Sequence, residues 1–288
     1  MEESHFIKLM ALKSLKGFGN SKVISMLTNE QTLDNFFNSL IEKHTELKRC
    51  SNRAYEKIFQ YCLKSNITLI PFYDKNYPRK LKMINSPPAL LFAKGRIELL
   101  NRPSIAIVGS REVAERTIEW TRNISKELSK ESYVIISGGA KGVDAAAHLG
   151  ALEENGNTIC VLGWGFDNIY PKENIDLIKK IGEQGLLLSE YPPFSNTRPI
   201  ALLERNRITS GLSDLVLVTS CKEQGGAMSQ IKTARSQNKI VLFPNPELGL
   251  TPNKGVIKFG KEKNITLVNN TNDIINSLQL INSQSILV

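Results

Sequence analysis

The chain has 288 residues, enough to bury a full core and to form one large domain with a smaller one beside it. At 41% hydrophobic and 23% charged residues its composition is that of an ordinary globular protein, which excludes a disordered chain and a fibrous repeat. Lysine and arginine outnumber the acids 37 to 28, a net charge of +9 that favours polyanionic partners without selecting one.

The opening MEESHFIKLM has two acids and no basic stretch leading into a long apolar run. Nowhere do about 18 apolar residues follow one another, so a cytoplasmic protein with no membrane segment is expected. Residues 1–66 carry apolar residues at helical spacing, such as Ile7, Met10 and Ala11, then Val23, Met26 and Leu27, which predicts a small helical domain. Inside it, Leu15-Lys16-Gly17-Phe18-Gly19-Asn20-Ser21-Lys22 fits a helix-hairpin-helix offering glycine-turn amides to phosphate. It fits equally a plain turn that needs glycine at positive φ. Residues 67–95, interrupted by prolines, read as a connector with one or two short strands. From residue 104 onward strand, turn and helix repeat: the apolar runs 105–108, 133–136, 158–162, 186–189, 215–219 and 240–243 are mostly separated by helical stretches. A run at 265–268 adds a last strand before a closing helix from Asp273. Continuous apolar strands alternating with helices predict an α/β fold: a Rossmann-like, doubly wound, mostly parallel sheet over 67–288.

Ligands of such sheets bind outside the carboxyl ends of the strands. The residues there are Gly109-Ser110-Arg111, then Ser137-Gly138-Gly139-Ala140-Lys141-Gly142, then Gly163-Trp164-Gly165, and Gly225-Gly226 ahead of a helical stretch. Glycines let backbone N–H groups approach an anion, helix N-termini add positive dipole ends, and Arg111 and Lys141 supply full charges. Lys141 is followed by Gly142 and Val143 rather than a hydroxyl for magnesium, which argues against a P-loop, and the turn at Gly163 lacks the third glycine of a dinucleotide fingerprint. Arg205-Asn206-Arg207 falls in a helix expected over 200–211, where positions 205 and 207 diverge by about 200°. One arginine can then bind while the other braces, or Arg205 can pair with a carboxylate such as Glu204.

The aromatics Trp164, Phe166, Tyr170, Tyr191 and Phe194 lie in the same loop stretches, and Trp164, between two glycines, is the leading candidate to stack on a base. Catalysis has little footing. His148 shares a helix face with Ala145, Leu149 and Leu152 and reads as a core histidine; Asp144 reads as a helix cap; Asp214 precedes its strand and faces the opposite edge from Asp167 and Glu190. Cys50, Cys62, Cys160 and Cys221 form no CxxC pair, so neither a metal site nor a disulfide framework is expected, nor any cofactor.

The ordered blocks Gly109-Ser110-Arg111, 137–148, Ala151-Leu152-Glu153, VLGWGFDNIYPKEN (161–174), LLSEYPP (187–193) and RNRITSGLS (205–213) resemble the DprA/Smf family over about residues 67–270. The resemblance implies a homodimeric, non-enzymatic protein that binds and protects single-stranded DNA and loads the recombinase RecA in natural transformation. It carries the DNA contacts onto Gly109, Ser110 and Arg111, onto Ser137 through Gly142, and onto Arg205, Asn206 and Arg207. Trp164, Arg198, Gly225 and Gly226 complete the expected contacts. Leu202-Leu203 stands where the family often has an aromatic-proline pair, and the end at Val288 leaves no C-terminal winged-helix domain to expect. The alternative class is a sensor or hydrolase of small nucleotides resembling LOG-type enzymes, whose PGGxGTxxE signature is met here only by Gly225-Gly226-Ala227-Met228-Ser229-Gln230.

Overall fold

A computed structural model describes residues 1–25, 27, 30–41, 43–44, 47, 52–154, 156–259 and 265–285; Met26 and Cys50 lie outside the described residues. Helices come first, and among the described residues they include α1 (Glu3–Ser14), α2 (Asn20–Ile24), α3 (Glu30–Ile41) and α4 (Asn52–Lys64). In α3 Leu33, Phe36, Phe37 and Leu40, and in α4 Tyr55, Ile58, Phe59 and Cys62, recur at the spacing that puts one apolar stripe on a helix. Asn66, at φ 54°, turns the chain out of α4 while the Ile67 N–H donates to the Cys62 carbonyl at 2.8 Å. The chain then enters the sheet.

Nine strands follow: β1 (Thr68–Pro71), β2 (Leu90–Gly95), β3 (Ser104–Val108), β4 (Val134–Ser137), β5 (Thr158–Leu162), β6 (Leu186–Ser189), β7 (Leu215–Val218), β8 (Ile240–Pro244) and β9 (Ile265–Val268). Their order is β1-β2-β6-β5-β4-β3-β7-β8-β9. From β6 to β9 every pair is parallel, whereas β2 runs antiparallel to β6 and β1 antiparallel to β2. This is a doubly wound, mostly parallel α/β sheet, as the continuous apolar runs predict.

Both faces are covered. On one, Ile105, Ile107, Leu215 and Leu217 pack with Ile124 and Leu128 of α5 (Glu115–Lys130) and with Val143, Ala147 and Ala151 of α6 (Val143–Leu152). The alternate residues Ala106, Val108, Val216 and Val218 face Ile208 and Leu212 of a later helix, with Met228 and Ile231 of another. Among the described residues the helical segment shares an apolar cluster with the sheet. Phe6, Leu9, Leu12 and Phe59 share one apolar cluster with Phe92 of β2, Leu162 of β5, and Ile178 and Ile181 of α7 (Ile175–Gln184). Because β3 is followed outward by β4 on one side and neighbours β7 on the other, the connections part at the carboxyl ends of β3 and β7, the crevice where doubly wound sheets take ligands. Among the described residues no helix is long and apolar enough to cross a membrane, and Cys62, Cys160 and Cys221 are buried free thiols.

Candidate functional site

The turn after β4 is built on glycine. Gly139 and Gly142 adopt φ of 72° and 74°, and a Cβ on Gly142 would stand 2.5 Å from the Arg111 carbonyl oxygen. The Val143 N–H donates to the Ser110 carbonyl at 3.3 Å. The loops after β3 and β4 therefore touch, and Arg111 and Lys141 rise from one rim. Arg111 is exposed and has no ion-pair partner among the described residues. Lys141 is exposed and pairs with Glu173, whose carboxyl is held below its usual range by that lysine. The Ser110 N–H donates to the Ser220 hydroxyl at 3.0 Å, bridging the loops after β3 and β7.

Several residues read as contacts are occupied internally. The amides of Gly138 and Ala140 donate to the Asp144 carboxylate at 3.2 and 3.3 Å, so Asp144 laces the turn from the first turn of α6 and those two N–H groups are already satisfied. Ser137 is buried and donates to the Ile107 carbonyl at 2.7 Å. The Gly139 carbonyl accepts from Asn174 at 2.9 Å. Trp164 is 1% exposed and meets the Tyr170 ring edge-on at 6.1 Å; it fills the core instead of a stacking face. Its flanking Gly165 is there because a Cβ would strike the Pro193 and Pro192 carbonyl oxygens at 2.1 and 2.2 Å.

The arginine pair divides in an unexpected way. The predicted helix over 200–211 is two helices, α8 (Pro199–Glu204) and α9 (Asn206–Leu212), meeting at Arg205. Arg205 is buried and slides its guanidinium under the glycine turn: a Cβ on Gly138 would lie 1.7 Å from its Nη1. Burial pulls its pKa down and the Asp144 carboxylate opposes that shift; Glu204, the partner considered from sequence, instead accepts from the Tyr191 hydroxyl at 3.1 Å. Asp144 is raised by burial, with Arg205 and the turn amides opposing. His148 is fully buried, bonds Thr158 at 2.7 Å, and is pushed down to about 3 by burial with Arg205 adding to it. Arg207 makes a two-pronged pair with buried Glu190 at 3.0 and 2.6 Å. Asn206 is buried and reaches the Gly226 carbonyl at 3.5 Å, bracing the start of α10 (Gly226–Ser236). Of the expected contacts, Ser110, Ser137, Gly138, Gly139, Trp164, Arg205 and Asn206 thus lie inside the protein.

What stays open is Arg111, Lys141, exposed Arg198 and the N-terminal turn of α10, where Gly225 and Gly226 have nothing within 4 Å of a would-be Cβ and no side chain caps the helix. One feature carried no sequence signal. Asn20, the first residue of α2 just after the glycine turn, donates to Glu190 at 3.2 Å and accepts from the Ala89 N–H at 3.2 Å, clasping the helical segment to the carboxylate that holds Arg207. Lys13 is half-buried beside this clasp, where desolvation lowers its pKa and Glu190 opposes. Among the described residues no three His, Cys, Asp or Glu side chains gather as a metal site.

A doubly wound, mostly parallel sheet with glycine turns and cations at its carboxyl rim belongs to the Rossmann-like α/β class. Within that class the assignment is specific: residues 68–279 match the model of the DNA recombination-mediator protein A family, and the chain belongs to that family. It is 34% identical over 233 residues to the DNA processing protein DprA of Streptococcus pneumoniae, covering 78% of this chain and 82% of that protein. Protein Smf of Synechocystis is 34% identical over 250 residues, and DprA of Bacillus subtilis 38% over 179; the chain spans 58% and 60% of their lengths. Its fold matches the X-ray structure of S. pneumoniae DprA with a TM-score of 0.71 and 28% identity, covering 96% of this chain and 93% of that one. It also matches Helicobacter pylori DNA processing protein A, solved to describe a single-stranded DNA binding mode, with a TM-score of 0.66 and 29% identity over 75% of this chain and 97% of that one.

Proposed function

We propose that the carboxyl rim of this sheet binds single-stranded DNA and that the protein is a cytoplasmic, homodimeric recombination mediator that protects the strand and hands it to RecA without performing chemistry on it. The reading divides the chain into a helical unit, 1–66, and a DNA-binding unit, 67–288. The observation that carries it is Arg111: an exposed cation with no ion-pair partner among the described residues, on a loop that touches the glycine turn bearing Lys141. Contacts are assigned to Gly109, Arg111, Lys141, Gly142 and Arg198, with the α10 N-terminus at Gly225 and Gly226, while buried Ser110 ties the loops after β3 and β7 together. Kinship with the H. pylori protein supports the choice of a single strand as ligand.

A salt titration with poly-dT and a duplex of equal length tests it. Binding to poly-dT should weaken with a slope of about −0.7 per phosphate neutralised. Arg111→Glu with Lys141→Glu should remove most binding and flatten the slope. Parental affinity in that double variant would exclude this rim. Excess free nucleotide leaves a DNA site loaded and empties a small-nucleotide site. Light scattering reads the dimer, and strand exchange in the presence of single-stranded-DNA-binding protein reads the transfer to RecA.

A further inference from the structure

Beyond the phosphate contacts, the same rim continues away from Lys141 in a line of bonded neighbours. Asn174, which bonds the Gly139 carbonyl at 2.9 Å, and Glu173, which pairs with Lys141, belong to the segment that begins at Tyr170. Tyr170 is 39% exposed with its ring backed edge-on by buried Trp164 at 6.1 Å. Two residues earlier, Asn168 donates to the Phe194 carbonyl at 2.9 Å. Phe194 is 49% exposed and its ring lies 4.7 Å from that of Tyr61, a residue of α4 whose hydroxyl donates to Asp167. The Phe194 loop is pinned, since Gly165 N–H donates to the Ser195 carbonyl at 2.9 Å and Asp167 N–H to the Pro193 carbonyl at 3.1 Å. Arg198 stands four residues on, within about 14 Å along the chain.

Large aromatics that follow strands normally pack inward, as Trp164 does. Tyr170 and Phe194 instead keep about half of their surface in water while another ring supports each from behind and hydrogen bonds fix the Phe194 loop. Exposed Lys172 stands toward one end and exposed Arg198 toward the other, while Glu173 pairs with Lys141 and Asp167 accepts from Tyr61. Rigid aromatic faces between backbone-binding cations are what unpaired bases stack on. A duplex has no free base faces to offer.

We infer that Tyr170 and Phe194 form a two-ring platform for the bases of the bound strand, and that the helical segment serves this platform by bracing Phe194 with Tyr61. The inference rests on the single-strand reading above and assigns a role to helix α4, where the sequence had pointed only to the glycine turn at Gly17. Phosphates are held near Arg111 and Lys141, and the strand leaves that turn with its bases over the two rings. Preference for single strands then arises from the rings and not from the cations.

The experiment compares an oligo-dT with an abasic oligonucleotide of the same length, using the full chain and each variant verified as folded by its circular dichroism and melting temperature. The parent should bind oligo-dT more tightly than the abasic strand by about 5-fold or more for each ring engaged. Tyr170→Ala with Phe194→Ala should collapse that ratio toward one while leaving the salt slope as in the parent. Tyr61→Ala should lose part of the ratio and Tyr61→Phe should restore it. A double variant that keeps the parental ratio, or one that changes the salt slope and not the ratio, overturns the platform while the single-strand reading stands. A parent that binds neither oligonucleotide overturns both.

Discussion

At Gly138 the missing side chain is a packing requirement, because the space a Cβ would take is filled by the Arg205 guanidinium 1.7 Å away. Gly138→Ala must push a buried cation off its carboxylate neighbour as well as crowd the turn, and should cost at least about 3 kcal/mol in urea unfolding. Arg205→Met removes the charge that opposes the upward shift of the buried Asp144 carboxyl, so it should push that pKa further up, as read from the pH dependence of urea unfolding. Beside this pair, His148 gives an acid limb of known sign. Its folded pKa, about 3, lies below the unfolded value of about 6.5, so the unfolded chain takes up the proton first. Its contribution is complete above pH 6.5 and is lost as pH falls toward 3, at about 1.4 kcal/mol per unit. Asp144, shifted up, acts in the opposite sense, so the comparison needs a variant. The stability deficit of His148→Gln relative to the parent should shrink by about 2 kcal/mol between pH 7 and pH 5, and an unchanged deficit would mean that His148 is charged in the folded protein.

Among elements, the segment through Arg205 sets the geometry of the rim. Arg205 keeps helical angles, φ −59° and ψ −27°, so positions 205 and 207 point about 200° apart. That divergence sends one guanidinium beneath the β4 turn and the other to Glu190 at the end of β6. Glu190 in turn takes Asn20, so α9 and the α1–α2 turn are held by a single carboxylate. That turn is thereby committed as a docking contact. Its Phe18 is buried and its Lys22 ammonium lies 3.9 Å above the Phe18 ring. Glu190→Ala leaves the half-buried Arg207 unpaired and should destabilise by about 3 kcal/mol, with amide exchange accelerated first in residues 13–24. Asn20→Ala should accelerate the same amides while leaving the Arg207 pair in place. Uniform acceleration across the sheet would argue against a local clasp.

On the scale of the whole molecule, the helical segment and the sheet bury one continuous apolar surface, running from Phe6 and Phe59 to Phe92 and Leu162, so strand binding at the rim should stabilise the protein as a unit. Oligo-dT at about 100 times its dissociation constant adds about 2.7 kcal/mol, which should raise the melting temperature by about 5–10 °C in one transition. A duplex at the same concentration should raise it less, and a rise confined to one of two separate transitions would show that the helices melt independently.

The sequence by itself determined the sheet, because apolar runs such as 215–219 and 240–243 are local signals that only a strand covered on both faces satisfies, and because a glycine-rich turn after a strand marks the ligand edge wherever it falls. It determined the family as well, through blocks whose order survives without any knowledge of contacts. Only the tertiary structure decided which of those rim residues face out. Trp164 and Arg205 are both expected contacts from the sequence, yet each is buried, Trp164 with Tyr170 against its indole and Arg205 with Gly138 and Asp144, distant in sequence, against its guanidinium. The partners of Glu190 and the support of Phe194 by Tyr61 are likewise long-range pairings, and nothing in local spacing encodes which charge or ring a fold will bring opposite another.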